Sequence, residues 1–286
     1  MLHFPVLLEE SVDFLLNDLN GHYIDCTFGR GGHSKLILEK LTKDGFLTGI
    51  DKDPDAYEYA TKLKNNNFKI INDSFKNIEK YFEEESISGI LYDLGTCSTH
   101  LDQPERGFSF NKEGPLDMRF NNKTGIPLSD WLENASEEQI RDILYQYGDE
   151  KHAKLISNAI FRSKIKNKIT TTTQLSKIIK DIYPEKDKKI HPATKSFQAF
   201  RIFINNELEE ITKSLKAAEK LIKLGGFIVT IAFHSLEDNI IKNFNSKYDL
   251  SIEELKGKIN DKYDRSLKYL DALIKIKTDI DPTLTF

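Results

Sequence analysis

The chain has 286 residues, 39% of them hydrophobic and 30% charged, and a formal net charge of −4. That length can bury the core of one large domain or two modest ones, and no apolar run approaches the roughly 20 residues of a membrane span. Two cysteines, Cys26 and Cys97, exclude a disulfide framework and lack the spacing of a zinc site, so no metal is expected. The N-terminal "MLHFPVLLEE" has neither the basic lead nor the cleavage site of a signal peptide, which makes cytoplasm the expected compartment.

Taken in order, "YIDCT" (23–27) reads as a strand running into a glycine turn, and "SKLILEKL" after it has apolar residues at helical spacing. "FLTGI" (46–50) is a second strand, followed by the helical "DAYEYATKL". "FKIIN" (68–72) precedes a third helical pattern, "SFKNIEKYF", and "SGILYD" (88–93) is a fourth strand. Strand and helix alternating at this spacing predict right-handed βαβ units and a parallel sheet.

After Asp93 the alternation stops. "LSDWLENASEEQIRDILYQYG" carries a capping-box pattern from Ser136 and closes on Gly148, and two further helices follow, the second stopped by Pro184. The strand pattern returns only at "GGFIVTIAF" (225–233), after the helix "NNELEEITKSLKAAEKLIKL". The simplest organisation is an α/β domain, 1–102 with 206–286, interrupted by a helical insert at 103–205. Between 151 and 203 there are 13 Lys or Arg and three acids, a local net charge of +10 on an acidic chain. Such a block suits either a polyanion-binding face or a merely solvated helix surface.

The glycine turn lies where doubly wound sheets bind ligands, beyond the carboxyl end of a strand. A dinucleotide fingerprint would need glycine at 29, 31 and 34, and position 34 is Ser. Asp51, closing the second strand about 20 residues later, can accept hydrogen bonds from ribose hydroxyls, as in both NAD and S-adenosylmethionine enzymes. Phe75 in "DSFKNI" can lie beside an adenine or in the core. Asp93 ends the fourth strand, where a carboxylate suits a positively charged cofactor.

Together "HFPVLLEE", "DCTFGRGGHS", "GIDKDP", "DLGTCSTHLD", "RGFSFNKEGPLDMR", "IHPATKSFQAFRIFINNEL" and "FHSLED" resemble the small-subunit ribosomal RNA cytosine-N4 methyltransferases, the RsmH (MraW) family. The seven strings run in order from about residue 3 to 244. The resemblance implies a class I S-adenosylmethionine-dependent methyltransferase fold with an inserted helical substrate domain. It also implies S-adenosylmethionine as methyl donor and one cytidine of the 16S rRNA decoding centre as acceptor, within the small ribosomal subunit. Position by position, Gly31, Gly32 and His33 match residues at the cofactor's amino acid moiety, Asp51 the ribose acid, Phe75 the adenine neighbour and Asp93 the residue near the sulfonium. His100 stands where the family usually has Gln at this cofactor contact, and Cys97 falls in a "TCS" that is usually "VSS".

The N4 amine is a weak nucleophile, so the protein's contribution is placement and an acceptor for the departing proton. Asp93 is the best polar group for that catalytic role. A flipped base needs aromatic and polar partners, for which Phe108, His191, Lys195, Gln198, Arg201 and His234 are candidates, Lys195 and Arg201 as phosphate contacts. In a helix Thr194, Gln198 and Arg201 share one face, with Phe197 and Phe200 turned elsewhere. Asp117 and Arg119 in "PLDMR" are placed to pair and fix their loop.

The C-terminal "RSLKYLDALIKIKTDIDPTLTF" keeps little of the family's basic ending, although "ALIKIKT" reads as an edge strand. The oligomeric state is open to a homodimer, and no membrane partner is expected. Alternatives are a methyltransferase acting on another RNA or on DNA, and an RNA-binding assembly factor that keeps the fold without the chemistry.

Overall fold

The computed structural model describes residues 5–183 and 191–246. Five parallel strands, β1 (His22–Asp25), β2 (Phe46–Ile50), β3 (Phe68–Ile71), β4 (Ile87–Asp93) and β5 (Ile222–Ile231), form one sheet in the order β3-β2-β1-β4-β5. In register, Tyr23 of β1 stands between Leu47 of β2 and Gly89 of β4. The chain builds outward from β1 to the β3 edge and then crosses back to place β4 on the other side of β1. Above the carboxyl ends of β1 and β4 the connections therefore diverge, and the crevice there is where such sheets take ligands.

Helices α1 (Leu8–Leu15), α2 (Gly32–Lys40) and α3 (Pro54–Thr61) belong to this sheet. After β4 the chain runs through α4 (Ser98–Asp102), α5 (Leu128–Asn134), α6 (Glu137–Gly148), α7 (Ala153–Lys166), α8 (Thr172–Lys180) and α9 (Thr194–Asn205). It returns to the sheet with α10 (Glu207–Leu221) before β5, and α11 (Ser235–Asn245) follows β5. Both sheet faces are covered, which is why the strands read as nearly continuous apolar runs. Tyr23 and Leu91 pack with Val12 and Leu15 of α1 and Ile37 of α2, while their neighbours Ile24 and Ile90 pack with Ile211, Leu215 and Ala218 of α10. The helices between β4 and β5 gather a core of their own, with Leu132, Ile140, Leu144, Ile156, Ile160, Leu175 and Phe200 at its centre.

The four early strands stand where the alternation predicts them, within two residues. The third helical pattern does not become an α-helix. Phe75–Lys80 is a single 3₁₀ run, because the Phe75 carbonyl accepts from Ser214 Oγ of α10 (3.0 Å) and the Asn77 amide closes back on Ser74 (3.0 Å). β5 begins three residues early and contains Gly225 at a φ of 81°, with a register shift against Ile87 and Gly89, a bulge that only the glycines signal. The capping box at Ser136 and Gln139 forms as expected, but Ala135 and Ser136 split the long pattern before it into α5 and α6. α8 ends at Lys180; the stop at Pro184 and the strand at "ALIKIKT" lie outside the described residues. Helix α9 has no open polar face of the expected kind, since Thr194 and Arg201 are buried together with Phe197 and Phe200.

Asn205, the last residue of α9, ties the loop below α5 to this helix. Its Oδ1 accepts from the Phe120 amide (2.7 Å), and its Nδ2 donates to the carbonyls of Met118 (2.7 Å) and Arg201 (2.9 Å). An Asn205→Ala change leaves a buried amide and a buried carbonyl without partners, at a cost of about 1–3 kcal/mol for each group left unsatisfied. Urea unfolding is expected to show a midpoint lowered accordingly with an unchanged slope.

Candidate active site

The glycine turn begins directly past β1. Asp25, at the strand's end, is buried and accepts from the Thr27 amide (3.1 Å) and from Ser34 Oγ (2.6 Å). Position 34 is therefore Ser because its hydroxyl serves a buried carboxylate, and a glycine there would leave that carboxylate short of a donor. Gly31 adopts a φ of 71°, and a Cβ on it would stand 2.7 Å from the Phe28 ring, so both conformation and space require glycine. Gly32 opens α2 under Pro5, and His33, the next residue, is buried. The Gly29 amide donates to Asp51 Oδ2 (2.7 Å), and the Asp53 amide to Asp51 Oδ1 (2.9 Å). Asp51 thus joins the turns after β1 and β2, with a lone pair left on each oxygen. Burial raises its carboxyl above the usual range.

Asp93 closes β4 opposite the glycine turn. Its amide donates to Thr27 Oγ1 (2.7 Å), which fixes the strand end against β1. Its Oδ1 is buried without a hydrogen-bond partner among the described residues, and Oδ2 lies 3.7 Å from His33 Nδ1. His33 Nε2 is 3.3 Å from the Val6 carbonyl. A carbonyl only accepts, so Nε2 carries the proton and Nδ1 turns its lone pair toward Asp93 in a neutral ring. Burial lowers the His33 pKa, in keeping with that form. Burial first, and then the charges of Asp25, Glu237 and Cys97, push Asp93 up to about 7. Phe75, half-buried past β3, sets its ring edge-on to Tyr92 at 5.8 Å.

His100 is engaged on both ring nitrogens. Nε2 is 2.8 Å from Asp53 Oδ2 and Nδ1 is 3.3 Å from Cys97 Sγ. Asp53 also takes Arg106 Nη1 (3.1 Å) and caps α3 by accepting from the Asp55 amide (3.0 Å). Against the effect of burial, the His100 ring and then the Arg106 guanidinium hold Asp53 down to about 2, while Asp53 and Cys97 push His100 up to about 9.

The expected substrate residues are only partly gathered. Phe108 is buried between His100 and Phe120 and packs the root of the helical segment. His191 stacks on Phe110 with ring centroids 4.4 Å apart. Lys195 is exposed and reaches the Asp149 carbonyl (3.0 Å), and Gln198 is half-buried one turn along α9. Arg201 is buried in a two-point pairing with Glu207 (2.9 and 3.1 Å), so a phosphate would have to displace a carboxylate to reach it. His234 caps α11, with Nε2 3.0 Å from Glu237 Oε1. Asp117 and Arg119 form the expected two-point pair (2.7 and 2.7 Å).

Sequence reasoning missed Asp25, Asp53, Arg106 and Glu237. Each carried a signal: a charge inside an apolar strand, an Asp-Pro helix start, an Arg before a glycine, and a His-x-x-Glu capping spacing. Among the described residues no group of three His, Cys, Asp or Glu could hold a metal ion, and no helix is long and apolar enough to cross a membrane.

The pattern of the MraW methylase family matches residues 1–269. The chain belongs to that family. It is 46% identical over 291 aligned residues to the ribosomal RNA small subunit methyltransferase H of Buchnera aphidicola (strain Tuc7), covering 98% of this chain and 93% of the relative. The proteins of the same name from Marinomonas sp. (strain MWYL1) and Acinetobacter baumannii (strain SDF) are 45% and 46% identical, over 85% and 89% of this chain and 79% and 84% of theirs.

The methyl donor of this family member is S-adenosylmethionine, and the cleft fits it. A partnerless buried carboxylate oxygen on Asp93, beside Asp25 and Glu237, suits a sulfonium, and Asp51 keeps lone pairs for ribose hydroxyls.

The Asp53–His100 pair sets a pH dependence of stability. His100 has a folded pKa above its unfolded value, so its contribution is complete below about pH 6.5 and is lost as pH rises through about 9. The Asp53 contribution is complete above pH 3.8 and lost as pH falls through about 2. Denaturant midpoints measured across this range are expected to fall on both sides, and His100→Gln is expected to abolish the alkaline fall. Asp53→Ala, which strands two buried cations, is expected to cost about 3–5 kcal/mol.

Proposed function

We propose that this protein transfers a methyl group from S-adenosylmethionine to the N4 amine of a cytidine in the decoding centre of 16S rRNA. The observation that carries the chemistry is Asp93, a carboxylate at the end of β4 with an unpartnered oxygen and a pKa of about 7. When bound, S-adenosylmethionine supplies an electrophilic methyl on a sulfonium with a neutral thioether as leaving group, so no acid is needed. Gly31, Gly32 and His33 hold the amino acid end, Asp51 the ribose and Phe75 the edge of the adenine. Asp93 faces the reacting nitrogen and takes the proton that N4 loses as it becomes cationic.

The relatives' name, ribosomal RNA small subunit methyltransferase H, supports small-subunit rRNA as substrate. The assembled subunit in the cytoplasm is the substrate form that this reading favours, with a homodimer as one state in which the enzyme can work. Residues 103–205 form the RNA-recognition insert in the domain 1–102 and 206–286, a division supported by the separate core of the helical segment. The insert's basic block supplies phosphate attraction: Lys154, Arg162 and Lys166 of α7 and Lys177 and Lys180 of α8 are all exposed. His191, just before α9, and Lys195 and Gln198 on it line the approach to the base, and His234 borders it beyond β5. His100, fixed by Asp53, acts on the cofactor through the turns it braces.

Two measurements test this reading. Small ribosomal subunits lacking the modification are incubated with labelled S-adenosylmethionine, and the product nucleosides are identified by mass. N4-methylcytidine at one site is expected, with Asp93→Asn lowering the rate by about 100-fold or more while cofactor binding survives. The wild-type rate is expected to rise with pH along a limb below about 7, since the cofactor's positive charge draws Asp93 down from the value it has alone, and Asp93→Asn removes that limb. No transfer to the subunit by the wild type would rule out the rRNA reading. Charge reversal at Lys166 and Lys177 is expected to raise KM with kcat little changed and to flatten the salt dependence of binding, by about 0.7 in log–log slope for each phosphate no longer neutralised. An unchanged slope would remove α7 and α8 from the RNA interface.

A further inference from the structure

Methyl transfer to a base nitrogen has no chemical use for the thiol of Cys97, which stands in line with His100 and Asp53. Cys97 Sγ lies 3.3 Å from His100 Nδ1, and His100 Nε2 lies 2.8 Å from Asp53 Oδ2. An ionised Asp53 only accepts, so Nε2 carries a proton and one further proton is shared between Nδ1 and Sγ. A thiol, a base and a carboxylate that orients the base form the arrangement by which proteins activate sulfur. Thr99 Oγ1, 2.9 Å from the sulfur, can donate to a thiolate.

The charges facing this pair come from three elements. Asp51 and Asp53, in the turn after β2, favour the imidazolium, and Arg106, past α4, opposes it. Asp93, ending β4, opposes the thiolate. Against burial, His100 prevails and draws the Cys97 thiol below its ordinary value. Cys97 is partly exposed, and a Cβ placed on Gly29 would stand 3.7 Å from its Cβ, so the residue borders the glycine turn. The other cysteine, Cys26, is buried, and burial pushes its thiol well above the usual range.

We propose that Cys97 is a reactive thiolate, a modification site for small disulfides, and that the mixed disulfide formed on it closes the methyl-donor cleft. Sγ attacks one sulfur of the disulfide, the new Sγ–S bond forms as the reagent's S–S bond breaks, and the departing thiolate takes a proton from water. His100 keeps its proton, held by Asp53. Excess thiol runs the exchange backward. The added group grows from a residue beside Gly29, so the closure rests on the reading of that turn as the methyl-donor site; the reactivity of the sulfur does not.

The test uses the full chain and dithiodipyridine, following release of the coloured thiol as a function of pH. One thiol per chain is expected to react, with a pH midpoint at least one unit below the value of about 8.5 for free cysteine. Cys97→Ser is expected to remove this reaction, and His100→Gln to raise the midpoint by a unit or more. Binding of S-adenosylhomocysteine, read by calorimetry, is expected to vanish in the modified chain, to return after dithiothreitol, and to persist in Cys97→Ser treated with the same disulfide. An ordinary midpoint in the native chain, or reaction of both cysteines alike, overturns the thiolate. Undiminished S-adenosylhomocysteine binding by the modified chain overturns the closure. Absence of binding by the untreated chain overturns the methyl-donor reading and the closure with it, and is separate from the titration of the sulfur.

Discussion

The buried carboxylate of Asp53 is the constraint on which the rest of the molecule hangs. It is 2% exposed, it caps α3, and it takes both the His100 ring and the Arg106 guanidinium. Arg106 in turn donates to the Phe120 carbonyl (2.7 Å), deep in the helical segment. A buried charge survives only when it is paired and its remaining lone pairs are filled. The demand of one carboxylate thus fixes the turn after β2, the helix after β4 and the root of the insert in a single geometry. Because Asp51 lies two residues upstream in the same turn, the proposed ribose contact and the insert share a foundation.

A second electrostatic pattern runs along the carboxyl edge of the sheet. Asp25, Asp51 and Asp93 end three adjacent strands, and Glu237 lies beyond the next. Such a row is unfavourable for the ligand-free chain, as the raised carboxyls of Asp25, Asp51 and Asp93 express. Each has its own remedy. Ser34 and Thr27 serve Asp25, two backbone amides serve Asp51, and of these three Asp93 keeps an oxygen without a donor among the described residues. Of the three strand-end carboxylates, Asp93 thus offers the unmet acceptor, where a cationic ligand gains most from it.

Much of this was legible in the sequence because it is local. Strand periodicity, the glycine turn, the acids closing β2 and β4, the Ser136 capping box and the Asp117–Arg119 pair all depend on residues near one another in the chain. What escaped depends on side-chain partners that no local pattern marks, some of them distant in the chain. The run at Phe75 looks helical, but Ser214, far along the chain on α10, takes its first carbonyl. Arg201 is expected at phosphate and is paired here with Glu207, and His100 is expected at the cofactor and has its two nitrogens engaged here by Asp53 and Cys97. Asp25 was overlooked since a carboxylate in an apolar strand announces its burial only when Ser34 is seen beside it.

Asn206 is the only residue between α9 and α10, ending one helix and beginning the other at a φ of 51° and a ψ of 38°. That left-handed well is small for a residue with a side chain, and leaving it means crossing forbidden backbone space. The angle between the two helices is therefore set at a single residue. Lys52 steadies the junction, reaching the Asn205 carbonyl (3.2 Å) and Glu210 (2.7 Å). At the far side, Ser214 of α10 holds Phe75 and Tyr92 by hydrogen bonds of 3.0 and 2.6 Å. Through Asn206 and α10, the helix that ends the insert is thus tied by a short chain of named contacts to the turn after β3.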